Sequence, residues 1–466
     1  MRYYIIAGEA SGDLHGSNLM RGIYEKDPKA IIRFWGGDLM NGVFVEHLKC
    51  VPQDKEQPAG ISTETRPATE GDQEVFCSPS FGLPNPRRLT SATPIRGISR
   101  PRRGPFGTFG SAPQIGGLVR HYKEGAVMGF TEVLAKAGKL LGNLRRCKQD
   151  ILGFAPDCVI LIDYPGFNFK IAEFAHKHGL KVFYYIAPKV WASREDRIRK
   201  LKKYVDRLYI VFPFEIPYFE KKGVPFVYKG NPLVDAVDNS VAMKETREDF
   251  LKRCGLTDKP IIAMLAGSRK SEISTMMPVL TEFADRMHAL PQYEGWQFIV
   301  AGAPSRSSED YLPYLHGQEY IKVLFGETES IVRQAEAAAV NSGTASLETV
   351  LLGTPQVVGF IMGSRLTYAI AKRIVKVKYI SLGNLCVNRF AFKEFVQDDC
   401  NPEALVNEVR ALIEDKVYRQ KMLSDYAEIR ALLGGSGASA AVADDMIKNL
   451  LLPSGKTLST IGSHNR

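Results

Sequence analysis

The sequence predicts an α/β protein built in two halves, each with a nucleotide-scale anion site. Two observations carry this. The apolar run Tyr3–Ala7 ends in Gly8-Glu9-Ala10-Ser11-Gly12-Asp13, and Ala337–Val340 ends in Ser342-Gly343-Thr344-Ala345-Ser346-Leu347-Glu348. Both read as strand, small-residue turn and helix start, which aims free backbone N–H groups and the positive helix end at an anion. Between and around them, strand-length apolar runs alternate with helix-length amphipathic stretches. One such turn is common in α/β proteins; a pair, one per half, suggests two facing sites.

The 466 residues are enough for two or three domains, and 45% apolar with 24% charged residues is ordinary for a soluble globular chain. A formal net charge of +10 suits an anionic partner: nucleic acid, an acidic membrane or a phosphorylated substrate. The seven cysteines show no CxxC and no metal spacing, so a reduced, cytosolic protein with no metal site is expected. The start Met1-Arg2-Tyr3-Tyr4-Ile5-Ile6 runs into Glu9 too soon for a signal peptide. No window reaches 18 apolar residues. Neither turn reads GxGxxG, which argues against a dehydrogenase. The basic residues alternate with aliphatics rather than stacking aromatics, which argues against a nucleic-acid module.

In order, the first half opens with strand Tyr3–Ala7, a helix over Leu14–Tyr24, strand Ile31–Trp35 and Gly36-Gly37. From about Gly42 to Pro113 the apolar period stops. Ten of the 26 prolines fall in Val51–Arg120, with Arg87-Arg88, Arg100 and Arg102-Arg103. This stretch, 42–114, is expected to be a disordered insertion, because it lacks the apolar surface to order itself. Order is expected again from Gly116. Met128, Phe130 and Val133 then lead into a helix that mixes leucines with Lys136, Lys139, Arg145, Arg146 and Lys148. An interfacial helix and a core helix with a solvated basic side both fit that pattern.

Cys158–Ile162 reads as a buried strand, followed by Asp163-Tyr164-Pro165-Gly166-Phe167-Asn168. Strand C-termini in open α/β sheets face the ligand crevice, so Asp163 is a general-base candidate, with a turn or capping role as the alternative. Strand Lys181–Ile186 leads to Ala187-Pro188-Lys189-Val190-Trp191, and Gly230-Asn231-Pro232-Leu233 looks like the interdomain link. In the second half, strand Pro260–Leu265 ends in Gly267-Ser268-Arg269, which puts a guanidinium beside backbone donors and suits a diphosphate. Glu348, one turn into its helix, could accept from ribose hydroxyls, with a solvent-facing glutamate as the alternative. The stretch Arg365–Lys378 holds five basic residues and no acid, including Lys372, Arg373 and Lys376. Two basic amphipathic helices in one chain favour an anionic membrane surface.

Together these pieces resemble one family, the lipid-A-disaccharide synthases. The resemblance rests on Gly8–Asp13, Met128–Leu134, Ile162–Asn168, Pro188–Ala192, Gly267–Glu272, Ser342–Glu348, Ala371–Lys376 and Ser381-Leu382-Gly383-Asn384-Leu385. It runs from Met1 to about Leu451, interrupted only by the insertion. It departs at Lys189, where the family often has Ser, and at Ser193, where it often has an aromatic.

The resemblance implies a GT-B fold: two Rossmann-like domains, 1–230 and 231–452, facing across a cleft, with 453–466 a frayed tail. It implies an inverting transfer of 2,3-diacylglucosamine from UDP to the 6-hydroxyl of 2,3-diacylglucosamine 1-phosphate, without a cofactor. It implies Asp163 as base, Glu9, Ser11, Asp13 and Asn168 on the acceptor side, and Arg269, Ser342, Gly343, Thr344, Glu348 and Asn384 at the UDP. Met128, Phe130, Val133, Arg365, Lys372, Arg373 and Lys376 would touch the membrane, placing a cytoplasmic protein on the inner membrane. A homodimer is compatible with the chain. The rivals are another GT-B transferase or an epimerase on a soluble UDP-sugar, and a non-catalytic UDP- or lipid-binding protein.

Overall fold

Parallel strands are covered on both faces, so they appear as unbroken apolar runs. Here β1 (Arg2–Ala7), β2 (Ile31–Gly36), β3 (Gly117–His121), β4 (Cys158–Ile162), β5 (Lys181–Tyr185), β6 (Arg207–Ile210) and β7 (Val227–Tyr228) form a seven-stranded sheet in the order β3-β2-β1-β4-β5-β6-β7. The helices between them are α1 (Ala10–Lys26), α2 (Asp38–Cys50), α3 (Val133–Phe154), α4 (Pro165–Lys177), α5 (Ile198–Tyr204) and α6 (Glu215–Lys221). Alternation along β1 sends Tyr3, Ile5 and Ala7 into the core on the α1 face, and Tyr4 and Ile6 into the core that holds Leu144 and Ile151 of α3. The computed structural model describes residues 1–50, 116–122, 133–192, 194–364, 368 and 378–452, with the backbone alone for 133–137 and 139. The expectations for 51–114, Met128, Phe130, the Val133 side chain, Arg365, Lys372, Arg373, Lys376 and the tail 453–466 lie outside the described residues.

The second sheet repeats the plan. The link region carries α7 (Pro232–Asp238) and α8 (Arg247–Cys254). The sheet itself contains β8 (Ile261–Leu265), β9 (Gln297–Gly302), β10 (Ile321–Phe325), β11 (Ala337–Asn341), β12 (Gln356–Phe360) and β13 (Glu394–Val396), in the order β10-β9-β8-β11-β12-β13. Its helices are α9 (Lys270–His288), α10 (Thr328–Arg333), α11 (Thr344–Leu352), α12 (Leu382–Val387), α13 (Pro402–Glu414) and α14 (Lys416–Leu433). Each sheet reverses its strand order once, at β1/β4 and at β8/β11. That reversal splays the following loops apart and opens a crevice at the strand ends.

Two boundaries differ from the sequence reading. The ordered pattern does not stop near Gly42, because α2 continues to Cys50. Val43 is buried, Phe44 meets Phe34 edge-on at 6.0 Å, and the His47 ring stacks on Tyr24 at 3.6 Å. These partners come from α1 and β2, so local composition could not reveal them. The second difference is α15 (Ala438–Leu451), assigned from sequence to the second domain. It lies on α1 of the first: a side chain at Gly22 would meet Ala440 and Ala443 within 3.1 Å. Asp445 accepts from Arg207 Nη2 and from Tyr209 Oη, both at 2.8 Å, tying α15 to β6.

Candidate active site

Glu9 and Asp163 leave the first sheet side by side, because Ala7 of β1 pairs with Ile162 of β4. Gly8 is required between them. A Cβ there would lie 2.3 Å from the Tyr164 ring, which covers the β1–α1 turn. Asp163 and Tyr164 both take left-handed backbone conformations, with φ of 41° and 43°. Such a conformation costs a non-glycine residue about 1–3 kcal/mol, so the surroundings must hold it. They do so through the Asp163 carbonyl, which accepts from Tyr184 Oη at 2.7 Å and from Asn168 Nδ2 at 2.9 Å. Tyr164 stacks on Phe167 at 5.6 Å, Phe167 contacts Trp35, and the Arg120 guanidinium lies 5.7 Å over Trp35.

The Asp163 carboxyl has its pKa raised by burial, with Glu9 adding to the rise; Lys189 and the Tyr164 N–H oppose it. Glu9 is the N-cap of α1, but its side chain caps nothing and stands exposed. Asp13 does not line an open acceptor surface. It is buried, and its two oxygens accept from the N–H groups of Gly37, Leu39 and Met40, so it caps α2 instead. Asn168 is likewise buried and holds the β4–α4 turn from below. Ser11 sits half-buried in the first turn of α1.

Across the crevice, Gly267 takes a φ of 103° and lets Glu272 fold back over the β8–α9 turn. The Glu272 carboxylate accepts from Ser268 N, Arg269 N and Arg269 Nη1 at 2.8–3.1 Å. The backbone donors expected to serve a diphosphate are therefore already used by a capping box, and the guanidinium is what faces outward. Arg269 Nη2 lies 3.4 Å from Glu9 Oε2, and this contact joins the β1–α1 and β8–α9 turns of the two halves.

The β11–α11 turn is open. Gly343 is its exposed N-cap, with no side-chain cap bond, so among the described residues no side chain satisfies the N-terminal N–H groups of α11. Ser342 donates through Oγ to Ile380 O at 3.3 Å, which ties this turn to the loop before α12. Glu348 is half-buried, and burial helped by Glu329 pushes its carboxyl up to about 7. Asn384 departs from its expected place at a ligand. It is fully buried, its amide donates to Phe392 O and Glu394 Oε1, and its oxygen accepts from Ala391 N and Phe392 N. Every hydrogen-bonding capacity of that side chain holds the α12–β13 loop.

Sequence reasoning missed Glu215. It is buried beneath the Trp191 loop, accepts from Trp191 Nε1 at 3.0 Å and from Val211 N and Phe212 N, and burial pushes it up to about 7. Two of its donors lie three and four residues before it, so the Phe212-Pro213-Phe214-Glu215 turn before α6 was the local signal, while the Trp191 contact comes from a separate loop. Among the described residues no group of three His, Cys, Asp or Glu side chains is arranged to hold a metal ion.

Two facing parallel sheets with anion-directed turns at both reversals are the GT-B arrangement. Solved structures share it. A UDP-GlcNAc 2-epimerase from Neisseria meningitidis bound to UDP-GlcNAc superposes with a TM-score of 0.60 at 11% identity, covering 96% of this chain and 100% of that one. A glycosyltransferase from Rickettsia africae gives 0.51 at 12% identity, covering 97% and 99%. At these identities the likeness concerns the fold alone.

Sequence comparison decides between the classes that use this fold, and it places the chain among the UDP-sugar-dependent glycosyltransferases. A family model described as lipid-A-disaccharide synthetase matches residues 114–440. The lipid-A-disaccharide synthase of Trichlorobacter lovleyi is 36% identical over 321 residues, 68% of this chain and 82% of that one. The synthase of Geobacter metallireducens is 32% identical over 452 residues, 96% and 97% of the two chains. The chain belongs to the lipid-A-disaccharide synthetase family.

Proposed function

We propose that the crevice transfers 2,3-diacylglucosamine from UDP to the 6-hydroxyl of 2,3-diacylglucosamine 1-phosphate, with Asp163 as the base. The observation that carries the residue assignment is the strained, half-buried carboxylate at the end of β4, beside Glu9, which itself meets Arg269 of the second half. The acceptor oxygen attacks the anomeric carbon as the bond to the β-phosphate breaks. The electron pair leaves with UDP, and the hydroxyl proton passes to Asp163. Attack opposite the leaving group inverts the anomeric centre. Arg269 and the open N-terminus of α11 meet the charge that develops on the diphosphate. Glu348 stands in the second turn of the same helix, where it receives the ribose hydroxyls. Ser11 and Glu9 border the acceptor.

Both substrates carry acyl chains, and among the described residues no helix is long and apolar enough to cross a membrane. Peripheral binding through the basic stretch Arg365–Lys378 supplies access to such substrates. The direct test is UDP release from UDP-2,3-diacylglucosamine in the presence of 2,3-diacylglucosamine 1-phosphate. Release that depends on both substrates supports the reading. Turnover of soluble UDP-GlcNAc in their place would overturn it.

A further inference from the structure

We propose that Lys189 binds the phosphomonoester of the acceptor sugar and makes that phosphate a determinant of specificity. The inference rests on the reading above, in which the acceptor is a sugar 1-phosphate.

The loop that carries Lys189 is fixed at both ends. Asp163 N donates to Tyr185 O at 3.2 Å, so the ends of β4 and β5 stay together. Ile186, a β-branched residue, follows with a φ of 61°, a conformation that persists only when neighbours enforce it. Ala187 N then donates to Tyr209 O, Val190 N to Pro188 O and Ala192 N to Lys189 O. Ala187 and Val190 are buried, while Trp191 is held by Glu215 and by the edge of Phe214 at 4.9 Å. Lys189 is the exposed residue between these anchors. Its ammonium makes no hydrogen bond or ion pair with the described residues, yet its field reaches both Asp163 and Glu215.

Charge balance identifies the ligand. Glu9 and Asp163 make this side of the crevice acidic. A phosphate brought in with the acceptor would be repelled by them. It would also push the Asp163 carboxyl further toward its protonated form, removing the base. A cation beside Asp163 resolves both problems. Arg269 is assigned to the donor's diphosphate, Arg120 is engaged with Asn143 and the Trp35 ring, and Arg194 with Asp196. The donor's diphosphate has its own donors on the second half, so a lysine on the first half serves the acceptor.

The experiment is steady-state UDP release by the full chain, with the same donor and two acceptors: 2,3-diacylglucosamine 1-phosphate and its phosphate-free counterpart. Lys189→Gln should raise KM for the phosphorylated acceptor about ten- to a hundredfold, as for the loss of one charge-assisted hydrogen bond. Measured at a pH above the Asp163 limb, where losing the field of Lys189 leaves the base ionised, its kcat and all constants for the phosphate-free acceptor should change little. Lys189→Arg should retain most of the discrimination. Equal losses on both acceptors would overturn the proposal. So would a fall in UDP affinity by calorimetry, which would assign Lys189 to the donor phosphates. A displaced acid limb of the pH profile with KM unchanged would likewise overturn it, making Lys189 a residue that tunes Asp163. Absence of UDP release by the unaltered protein with either acceptor would instead overturn the functional reading, and the proposal with it.

Discussion

A carboxylate takes a proton from a sugar hydroxyl only in its ionised form, and burial at Asp163 works against that form. Because its pKa is raised, the base appears only at higher pH than for an ordinary aspartate. The acid limb of kcat/KM should therefore lie above the usual aspartate range and fall as pH drops through it. Asp163→Asn should abolish that limb and lower kcat by about two to four orders of magnitude, while UDP affinity is retained. A near-normal kcat in this variant would remove Asp163 from the mechanism. Arg269 tests the other side. Replacing its fork with an ammonium, in Arg269→Lys, should weaken UDP binding by at least several-fold in calorimetry, because a lysine cannot hold a diphosphate and Glu272 together in the same geometry. Unchanged affinity would make its pairing with Glu272 and Glu9 the whole of its role.

At the scale of elements, α2 shows what the sequence could and could not announce. Strands such as Cys158–Ile162 and Ala337–Asn341 were legible because a buried parallel strand must be apolar throughout. The turns after β1, β4, β8 and β11 were legible because small residues and a following helix are a local pattern. Residues 42–50 were not, since Val43, Phe44 and His47 are ordered by α1 and β2 rather than by their own neighbours. Asn384 and Asp13 were misread for a related reason. Each lies in a motif that suggests a ligand, while its actual partners, Phe392 and Glu394 for one and Met40 for the other, sit on separate elements. Deletion of 43–114 should consequently cost at least the burial of Val43, about 1.5–3 kcal/mol, read as a lower unfolding midpoint. Deletion of 51–114 should leave midpoint and activity close to the parent, because loop closure depends only weakly on length. Equal behaviour of the two deletions would mean that α2 beyond Gly42 contributes nothing.

For the whole molecule, the two sheets are joined by more than the link at α7. Arg207 is 4% exposed, and its charge is met by Asp445 of α15. Asp445→Ala should cost about 3–5 kcal/mol in denaturant unfolding, because it removes the carboxylate that pairs with a buried guanidinium. The double variant Arg207→Met, Asp445→Leu should recover much of that loss, and its failure to do so would show that the pair does more than neutralise itself. The proposed membrane attachment is tested at the same scale. Replacing Lys372, Arg373, Lys376 and Lys378 by Gln should weaken binding to anionic vesicles by roughly 1 kcal/mol per charge at the surface, an effect that shrinks at high salt. Vesicle binding indifferent to both would leave these residues as a solvated face.

The position of α15 also bears on how the chain is made. The first sheet and α1 leave the ribosome early, yet Leu19 and Ile23 share one buried cluster with Val442 and Met446, which are made some four hundred residues later. At about 5–20 residues per second that interval is tens of seconds. Throughout it the nascent first half lacks the described residues that cover this oily strip in the finished fold. Translation speed and holdase chaperones thus become conditions for a good yield of folded enzyme, and a ribosome stalled before Ala438 would release a product prone to aggregate however well its first sheet had formed.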